Sequence, residues 1–501
     1  MTGGARGSAL VLSLAAASLA TASASSPGWK ARVAPLVVWQ VPATAAAARA
    51  DGTLAPGLGE RGRLVVVSPD GKRRVLTASF HSAADPEVSF DGGSILFAAK
   101  REEADPWCIY EMEATGAAAR KISCGAAGAR QPVYLPTIYT ITPTSVEPWA
   151  QVAFVGEDPG EWNEARIGPN TSLWSCKLDG TVLRRLTYNL SNDRDPVVLP
   201  DGRIVYAAWL RAPGGGSDRV ALLGINADGT DYQAYAGGQG LRVKQTPTPT
   251  ADGLVVFVET DRIGGDGAGR LASLRQVRPR HSYRSLSAET DGLFRAPSAL
   301  PDGSVLVAWR PSDDLRPFAI WAFDPATGAR EQVFSEPGWH SIGAKLLSPR
   351  PAPDARSSVV RDDDPEGKLY TVDVGIQSPG DAPSTRAARR LRVVEGVPAT
   401  ADRAVVRRLL GELKVADDGS YQVQIPANTP VQLELLAGDG SPLRTSTWLW
   451  VRNHAAQGCV GCHEDPERVP PNRLMKALAA KAPVLHPPVE ERRVLEPREA
   501  R

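Results

Sequence analysis

Short apolar runs alternate with polar positions along most of the chain from about residue 36 to residue 374, and pairs of these runs flank Asp-Gly turns. IVYAAW after Asp201-Gly202 and VLVAW after Asp302-Gly303 are two of them. A period of two over four to eight residues marks a strand in a sheet. Asp-Gly between two such runs marks a hairpin, because glycine accepts the positive φ of a tight turn. Long amphipathic helical patterns are almost absent before Val405. The chain is expected to be all-β.

The hairpins repeat. DPEVSFDGGSILFA from Asp85, DPVVLPDGRIVYAAW from Asp195, TPTPTADGLVVFV from Thr246 and APSALPDGSVLVAW from Ala296 each place a proline ahead of an aspartate, and SPRPAPDARSSVV from Ser348 is a decayed copy. With Pro86, Pro132, Pro196, Pro247, Pro297 and Pro349 as markers, the spacing is 46 to 64 residues, near the period of a propeller blade. A second hairpin precedes each repeat, as in LWSCKLDGTVLRRLT from Leu173, so each unit supplies four strands. Six repeats predict a six-bladed β-propeller over 25–376. The repeat at Pro132 lacks Asp-Gly and carries an insertion through 140–149. The strand that closes the ring is expected from 35–41 or from 369–374. The Asp-Pro and Asp-Gly phrasing, with an Arg-x-Leu-Thr ending at Arg184 to Thr187, resembles TolB-type propellers. That resemblance implies a fold and leaves function open.

Past Gly375 the period breaks. Residues 377–390 are rich in Pro, Ser, Ala and Arg and read as a linker. A small β-sandwich-like module follows over 391–456. Its strands are GELKV from Gly411, SYQVQIP from Ser420, VQLELL from Val431 and LRTSTWLWV from Leu443, while 403–410 suits a short helix or a strand. On the last strand Trp448 and Trp450 fall on one face and Leu449 and Val451 on the other, so it is expected to be buried on both sides.

Composition adds two things. The formal net charge of +1, with acids and bases interspersed, gives no reason to expect nucleic acid as a partner. Cysteine is scarce, at five, and two of the five lie in Cys459-Val460-Gly461-Cys462-His463. Two thiols three positions apart can each add to a vinyl group of one porphyrin while the adjacent imidazole turns onto the iron, which is the attachment pattern of haem c. Two other readings of the motif are a structural zinc site completed by His454 or His486, and a Cys459–Cys462 disulfide. Covalent haem of this kind is attached outside the cytoplasm. Residues 1–24 agree: Arg6 precedes an apolar stretch too short to span a bilayer, and Ala22-Ser23-Ala24 offers a cleavage site. An exported, periplasmic protein without a membrane span is expected.

The haem segment, 457–501, is rich in proline after His463, so a pocket borrowed from the module and the propeller is expected. His463 is the expected iron ligand. Candidates for a second are Met475, within a short helix expected over 471–481, and His454 and His486; His81, His281 and His340 lie in propeller loops. Cys108 and Cys124 are symmetric about Gly116 and suit a cross-strand disulfide, with Cys176 left as a buried apolar residue. The glycine-rich run 264–269 reads as a flexible loop between blades.

The stretch from Arg407, RRLLGELKVADDGSYQVQIPANTPVQLELLAGDGSPLRTSTWLWVRNHAAQGCVGCHEDPERVPPNR, resembles the middle domain of the hydrazine synthase alpha subunit family. The resemblance implies an exported haem protein with Cys459 and Cys462 holding the porphyrin beside a propeller. Catalytic members make hydrazine within a multi-subunit complex and carry a further domain with a second haem motif. In them a tyrosine one helical turn past the motif binds the iron and the motif histidine binds zinc; here the position four past His463 is Glu467. The expectation is therefore a monohaem c-type protein serving electron transfer or haem redox chemistry with a redox partner protein or a small redox substrate, and not hydrazine synthesis. The alternative is a non-catalytic propeller scaffold whose Cys-x-x-Cys-His site is structural, holding haem or zinc.

Overall fold

The structure, a computed structural model, describes residues 1, 35–44, 60–140, 148–212, 218–263, 267–313, 315–377, 385–462, 467, 472 and 474–495. The proposed signal peptide, His463, the core of the 140–149 insertion, half of the linker and half of the 264–269 run lie outside them. Among the described residues, the strands up to Leu346 form six four-stranded antiparallel meanders around a central cavity. The second strands of the meanders, such as Ser94–Lys100 and Ile204–Leu210, are buried almost throughout. Each sheet is covered by its neighbours on both faces, which is why these strands read as continuous apolar runs rather than clean alternation.

The repeat prolines have a structural meaning. Pro86, Pro132, Pro196, Pro247 and Pro297 sit in the innermost strands, where the pairing slips by a residue. The residue ahead of each, Asp85, Gln131, Asp195, Thr246 or Ala296, takes a φ of 41° to 53°. A proline has no N–H to lose at such a bulge. The sixth marker does not belong to this set. The sixth innermost strand is Trp339–Leu346, which slips opposite Trp39 and Gln40 without a proline, and Pro349 lies beyond its end.

Ring closure comes from the N-terminal side. Leu36–Pro42 runs between Trp339–Leu346 and Arg63–Val67, with Val38 opposite both Ala344 and Val65. The insertion after Thr140 lengthens its blade: Ala129–Thr140 pairs with Trp149–Trp162, and Arg356–Ser358 adds a parallel strand outside them. Cys108 and Cys124 are disulfide-bonded, and Cys176 is buried.

The second domain is a two-sheet sandwich. Its five-stranded sheet orders Pro442–Thr445, Val431–Leu436, Arg390–Val397, Val406–Lys414 and Val494–Leu495 side by side; its three-stranded sheet holds Tyr421–Pro426, Glu366–Thr371 and Ala456–Cys459. Leu391, Val393, Leu410, Val423, Ile425 and Leu435 fill the space between the sheets. Three expectations need correction. Glu366–Thr371 belongs to this module, so a boundary at 376 is too late, and the tail of the chain returns to both sheets rather than standing apart. Of the short helix or strand expected over 403–410, the strand is what forms, as Val406–Lys414. The strand from Leu443 stops at Thr445, because the following residues turn to bridge two cores. Trp448 donates to Glu164 of the propeller at 2.9 Å and Trp450 packs among propeller residues, while Val451 enters the module core and Leu449 exchanges hydrogen bonds with Val431. The two faces foreseen for this segment exist without the strand.

A cysteine pair at the seam between propeller and module

The site grows from an edge strand. Ala456–Cys459 lies parallel to Glu366–Thr371, with Ala456 opposite Lys368 and Cys459 opposite Thr371. Close packing makes the pairing selective for small residues. A Cβ on Gly458 would come within 2.5 Å of the Tyr370 ring, and one on Gly461 within 2.2 Å of the Ile376 carbonyl oxygen. The two glycines let the motif backbone lie directly on its neighbour. Beyond the strand, the 372–376 turn takes over the hydrogen bonding: Val372 N–H donates to Cys459 O at 3.0 Å and Asp373 N–H to Val460 O at 3.1 Å. Cys462 N–H then donates to Ile376 O at 3.1 Å, and the Thr371 hydroxyl donates to Cys459 O at 3.2 Å. Both cysteines are half-buried. Cys462 packs against the module core.

The propeller supplies the facing wall. Gln457 donates through Nε2 to the Tyr232 carbonyl at 3.0 Å, and the Tyr232 ring lies 4.8 Å from that of Trp450. Burial holds the Tyr232 phenol well above its ordinary pKa, and the nearby Asp193 and Cys459 push the same way against a hydrogen bond to Thr447. Glu467, five positions past Cys462, is 11% exposed and docks on a propeller loop. Its carboxylate accepts from Arg280 N–H at 2.7 Å and lies 3.6 Å from Arg278 Nε and 3.9 Å from His281 Nε2. The chain is thus pinned to the module before the motif and to the propeller after it.

The candidate second ligands separate along the three-stranded sheet. His454 N–H donates to Glu366 O, and its ring Nδ1 is 2.8 Å from Asp364, which it holds below the usual carboxylate range. At about 3.3 Å per strand residue, His454 is roughly 16 Å from Cys459. His486 Nδ1 lies 3.4 Å from Glu366, at that same far end. Met475 is different. It is half-buried and precedes a single 3-10 turn, Lys476–Ala479, shorter than the helix expected over 471–481. That turn docks on 418–422 through Lys476 N–H to Asp418 at 2.9 Å and Gln422 Nε2 to Ala477 O at 2.7 Å. Tyr421 is opposite Thr371, which is opposite Cys459, so Met475 stands at the cysteine end. Among the propeller histidines, His281 is beside Glu467, whereas His340 accepts from Phe318 N–H and His81 is 4.0 Å from Glu60.

Sequence reading isolated the two cysteines and missed their setting. Tyr370, Ile376 and Tyr232 gave no linear signal, since each reaches the motif from more than eighty residues away in sequence. Glu467 was visible only as the absence of a tyrosine.

Known proteins resemble this chain in its module and in its overall fold. The hydrazine synthase alpha subunit middle domain family matches residues 368–464. Hydrazine synthase subunit alpha of Kuenenia stuttgartiensis is 22% identical over 84% of this chain, which spans 64% of that relative's length. The solved Kuenenia stuttgartiensis hydrazine synthase superposes with a TM-score of 0.77 at 22% identity, covering 89% of this chain and 71% of that one. TolB from Acinetobacter baumannii gives a TM-score of 0.41 at 14% identity, over 62% of this chain and 66% of its own. Behind its β-propeller, the chain is similar over residues 368–464 to the middle domain of the hydrazine synthase alpha subunit family.

Proposed function

We propose that this is an exported monohaem c-type protein in which the propeller and the module together hold one covalently attached haem for electron transfer or haem redox chemistry. The observation that carries the reading is the placement of Cys459 and Cys462 at the end of an edge strand, in the seam between module and propeller. The residues fit the group. Cys459 and Cys462 would form its two thioethers, and His463 would bind the iron. Met475, at the cysteine end of the sheet, is the second ligand this arrangement favours over His454 and His486.

When bound, the haem would supply one-electron chemistry at a potential set by its ligands and burial. The chain's own residues do the positioning. Thr371, Val372 and Asp373 fix the backbone carbonyls of Cys459 and Val460, so the two sulfurs are presented from a rigid edge. Tyr232 and Trp450 exclude water from the propeller side. Glu467 ties the segment after the motif to the 278–281 loop. Hydrazine synthesis is not part of the proposal.

The test is intact mass and a visible spectrum of protein exported together with a haem-maturation system. One added haem and a Soret band are expected, both lost in the Cys459→Ala, Cys462→Ala double variant. A colourless wild type, or zinc in place of haem, would overturn the reading.

A further inference from the structure

Charge that is interspersed elsewhere gathers in one loop beside the cysteine seam. The whole chain has 57 Lys and Arg against 56 Asp and Glu, yet the stretch from Gly267 to Ala288 holds five arginines, one histidine and no acid. Arg270 is used inside its blade, where it pairs with Glu259 at 2.8 Å. Arg275, Arg278, Arg280 and Arg284 lie on or beside the connection between Arg270–Arg275 and Arg284–Ser285. That connection is tied down: the Ser282 hydroxyl accepts from Arg275 N–H at 2.8 Å and donates to Arg278 O at 2.9 Å, around the single 3-10 turn Pro279–His281. Arg275 and Arg284 are exposed, the Arg278 side chain is 68% exposed, and Val277, next to Arg278 in sequence, is 77% exposed.

The loop and the cysteines share one stretch of chain. Gln457 holds the Tyr232 carbonyl, Tyr235 donates its hydroxyl to Gln276 O at 3.2 Å, and Glu467 accepts from Arg280 N–H. Residues 457–467 therefore run from the wall of the cysteine site to the arginine loop. Two carboxylates act on Tyr235, namely Glu467 and Asp201, and Asp201 is paired with Arg203 at 2.8 Å. Glu467 balances one of the four arginine charges. Crowded like charges repel one another and set up a positive field, which an acidic surface relieves. Electron-transfer encounters are small, and long-range charge rather than buried area brings the partners together. A phospholipid surface with anionic headgroups would answer to the same charge. The position beside the cysteines favours a redox protein, because an electron has to pass over a short distance.

We propose that Arg275, Arg278, Arg284 and Val277 form the docking surface for an acidic one-electron redox protein, beside the haem that Cys459 and Cys462 would carry. This rests on the haem reading above. The exchange moves one electron between two metal centres and makes or breaks no bond. The probe is plastocyanin, an acidic copper protein, titrated into the full chain at about 20 mM and about 300 mM salt, between which the Debye length falls roughly fourfold. Saturable binding at one site per chain is expected at low salt. It should weaken about tenfold at high salt, and about tenfold when Arg275→Gln, Arg278→Gln and Arg284→Gln are combined. Val277→Asp, a single exposed substitution, should weaken it several-fold, and basic cytochrome c should not bind. In the haem-bearing chain the triple variant should also slow electron transfer to the copper(II) of plastocyanin about tenfold at low salt. The proposal is overturned if plastocyanin does not saturate, if cytochrome c binds equally well, if neither variant weakens binding, if the triple variant passes electrons as fast as the wild type, or if vesicles of anionic phospholipid bind and plastocyanin does not. Binding is read on the wild type and on the Cys459→Ala, Cys462→Ala variant alike. Absence of a Soret band from the wild type thus overturns the haem reading, whereas absence of binding by a chain that has the band overturns the docking surface alone.

Discussion

The propeller and the module solve the same problem in opposite ways. In the propeller nearly every strand pairs with its neighbour in sequence, and one plan recurs from blade to blade. In the module, Glu366–Thr371 is flanked by Tyr421–Pro426 and Ala456–Cys459, and Val494–Leu495 returns to Val406–Lys414. The propeller distributes its stability over many similar local pairings, so no single one is decisive. The module gathers its cysteine site from distant pieces, each used once, and single contacts there carry more weight.

The strongest test of that contrast is the seam. Trp450 is 2% exposed and belongs to the propeller's core cluster although the module's chain supplies it. Trp450→Ala should destabilise the protein by about 3–5 kcal/mol. Urea unfolding followed by total fluorescence and by protease susceptibility of the 456–462 segment would check this. A loss below about 1 kcal/mol would mean that the seam is not a structural joint. Next in size is Gly458→Val, which drives a branched side chain into the Tyr370 ring and should cost about 1–3 kcal/mol by overpacking. The same assay on Gly238→Ala in the propeller, where an added methyl meets nothing within 4 Å, should show a change within about 0.5 kcal/mol. Equal effects at the two glycines would erase the contrast.

A pH test addresses the propeller alone. Asp193 is fully buried, and burial pushes its carboxyl up to about 7; Asp158, also buried, is pushed up to about 6 despite its pairing with Arg185. In the unfolded chain such groups lose their proton near pH 3.9. Between those limits the folded state binds more protons than the unfolded one, so stability should fall as pH rises from about 4 to about 7 and then level off. Thermal midpoints between pH 4.5 and 8 would show the slope, and Asp193→Asn should flatten it. An unchanged slope would remove Asp193 from the account. A modest effect is expected of Thr371→Val, which deletes the hydroxyl donated to Cys459 O and should cost about 1 kcal/mol in the same urea assay. A loss above about 3 kcal/mol would show that this bond anchors the strand by itself.

The same difference between regions explains what the chain made legible. Blades and hairpins were readable because each depends on residues within about fifty positions of one another, and the repeat prolines turned out to mark the left-handed residues of five inner strands. Pro349 misled because the last repeat had decayed and its strand closes against the first strand instead. In the module, alternation found the strands and could not find their partners. Nothing local in EGKLYT says that its neighbours are YQVQIP and AQGC. The cysteine motif was plain, yet the contacts that seat it, from Tyr370, Ile376, Tyr232 and the 278–281 loop, exist only once both domains have come together.

The N-terminal closing strand sets a timetable for synthesis. Leu36–Pro42 is made among the first strands, but one of its two partners, Trp339–Leu346, is made about three hundred residues later. At about 5–20 residues per second, that interval is on the order of 15 to 60 seconds. Throughout it, an apolar strand containing Leu36, Val37, Val38 and Val41 has one edge open, a condition that favours misplaced pairing with other chains. The nascent protein is therefore expected to need a holding chaperone until residue 346 has emerged, and truncations ending before Trp339 should aggregate where the full chain does not.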